Sequence, residues 1–208
     1  MTRTLTACLA ALTLVGGCKV VRTAPEVDAT ADAGTDPIAA FVAETYDAQL
    51  LPLVEAEAVE AGVLLAALDG GLEAAGTAHG IQATGGGAWT FLVKGEGVVV
   101  EADRESRAAT LGVDVTGDGA SDLRVQLGPV VRGTALRDAA PFYEFTDFRD
   151  QMEFAALARA LNERATAALT LPEGDLVGTR ASFAGATALR AADEALLLAP
   201  TRLALEPR

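Results

Sequence analysis

The chain has 208 residues, half of them hydrophobic and 22% charged, with a formal net charge of −13 at neutral pH. The length suits one domain with a real core. The acidic balance repels polyanions and argues against nucleic acid as a partner.

Arg3, an uncharged apolar run from Leu5 to Val15, and the small residues of Val15-Gly16-Gly17-Cys18 open the chain. This reads as a secretory leader of lipoprotein type, because the run falls well short of the roughly 20 apolar residues that span a bilayer. It resembles the bacterial lipobox, which implies cleavage before Cys18 and lipid on its sulfur and its new amino group. Residues 1–17 are then a signal peptide, and losing Arg3 takes the net charge to −14. Cys18 is the one cysteine left, so no disulfide forms within the mature chain. Lys19, where an aspartate would favour the inner membrane, points by the same resemblance to the outer membrane. Residues 18–36, rich in alanine, threonine and aspartate without apolar periodicity, read as a lipidated cysteine and flexible tether. A single folded domain is expected over 37–208.

Asp36-Pro37 is an N-cap followed by proline at the first helical position, and Ile38, Phe41, Val42, Tyr46 and Leu50 continue at helical spacing until Pro52 interrupts. A second helix is predicted with Val54, Ala58, Ala61, Leu65 and Leu68 on one face, stopped by Asp69-Gly70-Gly71. Gly76 to Gly87 reads as a glycine-rich loop holding His79, the only histidine, without the strand and helix context of a phosphate-binding loop.

From Trp89 to Leu127 three antiparallel strands form a meander. The first is long and bent, Trp89 to Val100, broken by Gly95 and Gly97. In the second, Ala109, Leu111, Val113 and Val115 share a face at period two. Thr116-Gly117-Asp118-Gly119 turns the chain, and Leu123, Val125 and Leu127 form the apolar face of the third. Gly128-Pro129 leads out through Val130 to Asp138. A strong helix follows, capped by Thr146 or Asp147, with Phe148, Met152, Phe154, Leu157, Leu161, Ala165 and Leu169 as its apolar side. Val177, Thr179, Ala181 and Phe183 alternate as a fourth strand, and Thr201, Leu203 and Leu205 as a fifth. Three strands, a helix and two strands is the element order of an OB-fold. The predicted class is α+β, mainly β: an OB-fold-like five-stranded Greek-key barrel with a helix between strands 3 and 4 and two added N-terminal helices.

Gly17-Cys18-Lys19-Val20-Val21, Trp89 to Gly95, Thr110 to Asp114 with Gly117-Asp118-Gly119, Gly128 to Asp138, and Phe148 through Asn162 together resemble the predicted periplasmic lipoproteins of domain-of-unknown-function family 2291. Arg132-Gly133-Thr134-Ala135-Leu136-Arg137-Asp138 is the most specific piece. The resemblance implies an OB-like fold, a periplasmic lipid-anchored protein, no established activity, and company with sugar-uptake transporters of the ABC type. Thr116 departs from it, since many relatives are expected to carry an acidic residue there.

Two groups of residues are candidates for binding. Asp114, Thr116, Asp118, the Ala120 carbonyl and Asp122 stand at positions one, three, five, seven and nine of a loop with glycine at six, the oxygen spacing that wraps calcium. Position twelve is Val125 rather than glutamate, and the alternative is a hairpin turn whose aspartates cap backbone amides. Arg132, Arg137 and Asp138, with Tyr143 and Phe142 as a stacking surface, are the candidates for a sugar, carboxylate or phosphate ligand; the alternative is a structural role in the crossover. No Gly-x-Ser-x-Gly elbow, no His-Glu-x-x-His and no mature cysteine besides Cys18 is present, so no enzyme is expected. Expected partners are the membrane, through the lipid, and a sugar or a transporter component. The rival expectation is a structural envelope protein that docks a protein partner.

Overall fold

The computed structural model describes residues 36–82 and 86–206. The predicted signal peptide, Cys18 and the tether up to residue 35 lie outside the described residues.

Asp36 caps α1 (Pro37–Thr45), its carboxylate accepting the Ile38 N–H at 3.0 Å. Pro52 does not interrupt the helical run. Tyr46–Leu50 forms a π turn, in which Leu51 N–H reaches back to the Tyr46 carbonyl, and leads straight into α2 (Leu51–Glu57). A proline needs no N–H partner in a first helical turn, so the chain continues past it. The second predicted helix is divided among three elements instead. After α2, β1 (Val59–Glu60) pairs in parallel with Val93 and Lys94, and α3 (Ala61–Asp69) follows. Ala58, Ala61, Leu64 and Leu68 are buried. Helical spacing found most of the core positions but not the break, which a neighbouring strand imposes. The predicted glycine loop begins as α4 (Leu72–His79) and continues as β2 (Ile81–Gln82), antiparallel to Trp89 and Thr90. Gly76 belongs in that helix because the Trp89 indole lies where its Cβ would be.

β3 (Trp89–Asp103) is one 15-residue strand. It pairs from Trp89 to Val98 with β6 (Arg180–Leu189), and from Val98 to Asp103 with β4 (Ala108–Asp114), the register shifting between Val99 and Glu101. Gly97 lies at the changeover, where a Cβ would strike the Asp114 carbonyl. β5 (Leu123–Pro129) runs antiparallel to β4 and parallel to β7 (Leu196–Glu206), which returns antiparallel to β6. The order β3-β4-β5-β7-β6 closes through β3 and β6 into a five-stranded barrel. Between its third and fourth strands lie α5 (Ala135–Asp138) and α6 (Gln151–Ala167). This is the OB arrangement expected from the element order, with four short helices before the barrel among the described residues rather than two.

Phe91, Val93, Leu111, Val113, Val125 and Phe183 fill the barrel. A second core lies outside it, where Val42, Tyr46, Leu50, Leu136, Leu157 and Leu161 pack on Leu92, Ala184, Ala186 and Ala199. β6 and the first half of β7 are therefore buried on both faces, which removes the alternation that betrays a half-exposed strand. That is why β6 extends to Leu189 and β7 begins at Leu196, beyond the limits alternation suggests. The predicted cap of α6 also moves: Phe145–Asp147 is a 3₁₀ turn, and Asp150 accepts the N–H groups of Met152 and Glu153 at 2.8 and 2.9 Å. Met152, expected on the buried side, is 72% exposed.

Candidate ligand site on the barrel face

Inward-facing Leu111, Val113, Leu123 and Val125 turn their neighbours on β4 and β5 outward. Register then sets two rows across the outer face. Glu101, Gly112, Arg124 and Leu197 form one, and Asp103, Thr110 and Gln126 the other. Gly112 puts no side chain between its neighbours, and Arg124 pairs with Glu101 at 2.5 Å over it. Gln126 is 3% exposed, and both ends of its amide are used: Oε1 accepts the Arg132 N–H at 2.7 Å and Nε2 donates to the Arg132 carbonyl at 3.2 Å. These bonds hold the chain after β5 over the face. The Arg132 guanidinium makes no hydrogen bond or ion pair with a described residue.

Beneath Arg132 lies a cavity of about 230 Å³, lined by Asp103, Ser106, Thr110, Arg124 and Gln126 among others. Asp103 is steadied by the β3–β4 turn, its carboxylate accepting the N–H groups of Glu105 and Ser106, each at 3.2 Å. Guanidinium donors, hydroxyls and a carboxylate thus converge on one small space, a set that hydrogen-bonds a polyhydroxylated or carboxylated ligand in both directions. A larger cleft of about 480 Å³ between α2, α4 and Pro141 has mainly apolar walls, including Leu53, Val59 and Leu92, with Glu57 and His79 among its lining.

Of the residues singled out by sequence, Arg132 lines this cavity and Arg137, Asp138 and Tyr143 do not. Arg137 bonds Asp138 through Nε and Nη2 at 2.8 and 2.6 Å, donates to the Phe154 carbonyl at 3.1 Å, and lies 3.8 Å from the centroid of the Phe154 ring. Thr134 donates to the other Asp138 oxygen at 2.5 Å. Tyr143 is buried, its hydroxyl 2.8 Å from Thr45 Oγ1 on α1, and burial raises its pKa. Tyr143 ties the crossover to α1 and Arg137 ties it to α6, with Asp138 bracing Arg137. Arg124, Thr110 and Gln126 escaped the sequence reading, because only the cross-strand register places them side by side; their one signal is an outward position on a predicted strand, whereas Asp103 lies past the predicted end of the first strand at Val100 and is brought in by the longer β3.

In the Asp114 loop each carboxylate is turned to the loop's own amides. Asp114 accepts the N–H groups of Gly117 and Gly119 at 2.6 and 2.9 Å, Asp122 those of Val115 and Thr116 at 2.7 and 2.9 Å, and Asp118 that of Ala120 at 2.8 Å. Thr116 Oγ1 also donates to Asp122 at 3.1 Å. The amides of Gly119 and then Gly117 hold the Asp114 carboxyl below its ordinary value. Gly117 and Gly119, at φ of 83° and 87°, make the tight turn possible. Among the described residues no group of three or more acidic, histidine or cysteine side chains is placed to hold a metal ion.

A family model described as predicted periplasmic lipoprotein (DUF2291) matches residues 8–204. The chain belongs to this family. As a DUF2291 member it is a periplasmic, lipid-anchored protein, and the matched span includes Cys18. An OB-fold protein from Thermotoga maritima superimposes with a TM-score of 0.64 at 19% identity, over 83% of this chain and 99% of that one. At that identity the likeness shows the fold alone. No curated protein matches the DUF2291 chain.

Proposed function

We propose that this DUF2291 lipoprotein is a non-catalytic, ligand-binding accessory of ABC-type sugar uptake, holding a sugar or sugar acid on the barrel face beneath Arg132. One observation carries the reading: Arg132, its backbone held by Gln126 and its guanidinium without a partner among the described residues, lines a small polar cavity. The face of the second and third barrel strands is where OB-folds bind oligosaccharides and oligonucleotides, and a net charge of −13 disfavours the latter. The cavity's volume, about 230 Å³, lies below the roughly 300–1,000 Å³ of sites for drug-sized ligands, which suits a single sugar ring. Lys19 after the lipidated cysteine supports an outer-membrane address.

Thermal unfolding of residues 19–208 across a panel of monosaccharides, sugar acids and short oligosaccharides tests it. A ligand at a hundred times its Kd adds about 2.7 kcal/mol, a rise of roughly 5–10 °C for a chain of this size. Arg132→Ala abolishes that rise and leaves the unliganded midpoint in place. A flat panel overturns the proposal and leaves docking of a protein partner as the reading to pursue.

A further inference from the structure

The cleft of about 480 Å³ between α2, α4 and Pro141 has a different chemistry from the cavity beneath Arg132. It opens where two short strands leave β3 uncovered. β1 pairs with Val93 and Lys94, β2 pairs with Thr90 and Trp89, and Phe91 and Leu92 between them pair with neither. Val59, Ile81 and Leu92 line the opening from the three strands, and Leu53 of α2 continues the apolar wall. A volume of this size with mostly apolar walls and a few polar groups is the usual form of a small-molecule site.

The charges at this cleft share one sign. The helical run from Pro37 to Glu57 finishes here, Ala58 N–H making its last bond to the Val54 carbonyl at 3.0 Å. α4 finishes here too, Gly80 N–H bonding the Gly76 carbonyl at 2.7 Å. Each helix end leaves carbonyls without helical partners and carries about half a negative charge, which lysine or arginine in the last turn would offset. The last turn of α2 instead holds Glu55 and Glu57 and no basic residue. Lys94 donates to the Glu55 carbonyl at 3.4 Å but lines a different cavity. The Glu57 carboxylate lines the cleft and makes no hydrogen bond or ion pair with a described residue. Among the described residues no lysine or arginine lines the cleft, and His79 adds an imidazole at the end of α4.

We infer that this cleft binds a small organic ammonium ion, its apolar body against Leu53, Val59 and Leu92 and its charge beside Glu57. The ligand supplies the cation that two helix ends and an unpaired carboxylate lack, and the same groups repel a carboxylate or a phosphate. The inference is independent of any sugar beneath Arg132.

Trp89, the one tryptophan, lies against Gly80 in the cleft wall, its ring 2.8 Å from where a Cβ on Gly80 would stand, so its emission reports occupancy. The test holds the mature lipoprotein in phosphatidylcholine nanodiscs at pH 8, where an ordinary imidazole is neutral, with empty nanodiscs as the blank. Calorimetry and Trp89 emission follow three probes that share a phenyl body and differ in charge: phenethylammonium, phenethyl alcohol and phenylacetate. The ammonium is expected to bind about tenfold more tightly than the alcohol, and the carboxylate more weakly than either. Glu57→Gln narrows the tenfold preference to about threefold or less and leaves the alcohol's affinity in place, which shows that the variant is folded. Ala78→Phe, at an exposed position in the wall, fills the cleft and abolishes binding of both, whereas Arg132→Ala alters neither. Equal affinity for ammonium and alcohol, a preference for the carboxylate, or no binding of any probe overturns the inference. So does an ammonium preference that Glu57→Gln leaves undiminished, because the cation then binds elsewhere.

Discussion

Replacing Tyr46 by phenylalanine is expected to stabilise the domain, most strongly at alkaline pH. Tyr46 is 2% exposed in the π turn between α1 and α2, and its hydroxyl has no hydrogen-bond partner among the described residues. Leaving a buried hydroxyl unpaired costs about 1–3 kcal/mol. Phenylalanine keeps the ring and its contact with the Arg164 guanidinium, 5.2 Å from the centroid, so little packing is lost. A gain of about 1 kcal/mol or more follows at pH 7. Burial also pushes the phenol from 10.0 up to about 12. The unfolded chain releases this proton near pH 10 while the folded one keeps it to near 12, so the native state loses ground as pH rises through that window. Two pKa units correspond to about 2.7 kcal/mol, all of it absent from Tyr46→Phe. Urea unfolding followed by circular dichroism at pH 7 and near pH 11 measures both effects. Tyr143→Phe is the control: its hydroxyl is paired with Thr45, so at pH 7 it loses about 1 kcal/mol. If Tyr46→Phe is as damaging at pH 7 as Tyr143→Phe, the hydroxyl is satisfied and the reasoning is refuted.

Gly76→Ala drives a methyl into the Trp89 indole and is expected to cost about 1–3 kcal/mol, with a red shift of Trp89 emission; an unchanged spectrum and midpoint would show that α4 yields freely. Arg137→Ala loses the Phe154 stack, the hydrogen bond to the Phe154 carbonyl and the pair with Asp138, about 1–3 kcal/mol by chemical denaturation, without changing sugar affinity, the reverse of Arg132→Ala. Because the Asp114 carboxyl is held low, its contribution is complete above about pH 4 and fades as pH falls further. Asp114→Asn, which can accept through only one of the two atoms that bond Gly117 and Gly119, lowers the neutral-pH midpoint and flattens the acid limb of a midpoint-against-pH curve. Calcium is expected to leave the wild-type midpoint unmoved, since the loop's carboxylates already serve its amides; a calcium-dependent rise would restore the metal reading of that loop.

The sequence by itself determined the local elements whose signal is local. Asp36-Pro37 announced α1, the alternation in Ala109–Val115 and Leu123–Leu127 announced β4 and β5, and the order of strands around one helix carried the OB topology. The Val15–Cys18 run carried the lipoprotein reading, which membership of the family supports. Tertiary structure decided what depends on neighbours distant along the chain. Gly76, a loop signal in isolation, lies inside α4, where Trp89 occupies the space of its Cβ and leaves room for glycine alone. Ala184, Ala186 and Ala199 show no alternation because helices cover the barrel's outer face. Arg132 and Arg137, five residues apart and alike in sequence, part company because Phe154 and Asp138 engage one guanidinium while Gln126 holds only the backbone of the other. Periodicity reports which face of an element is buried, but the free valence of a side chain is set by atoms brought to it from elsewhere in the chain.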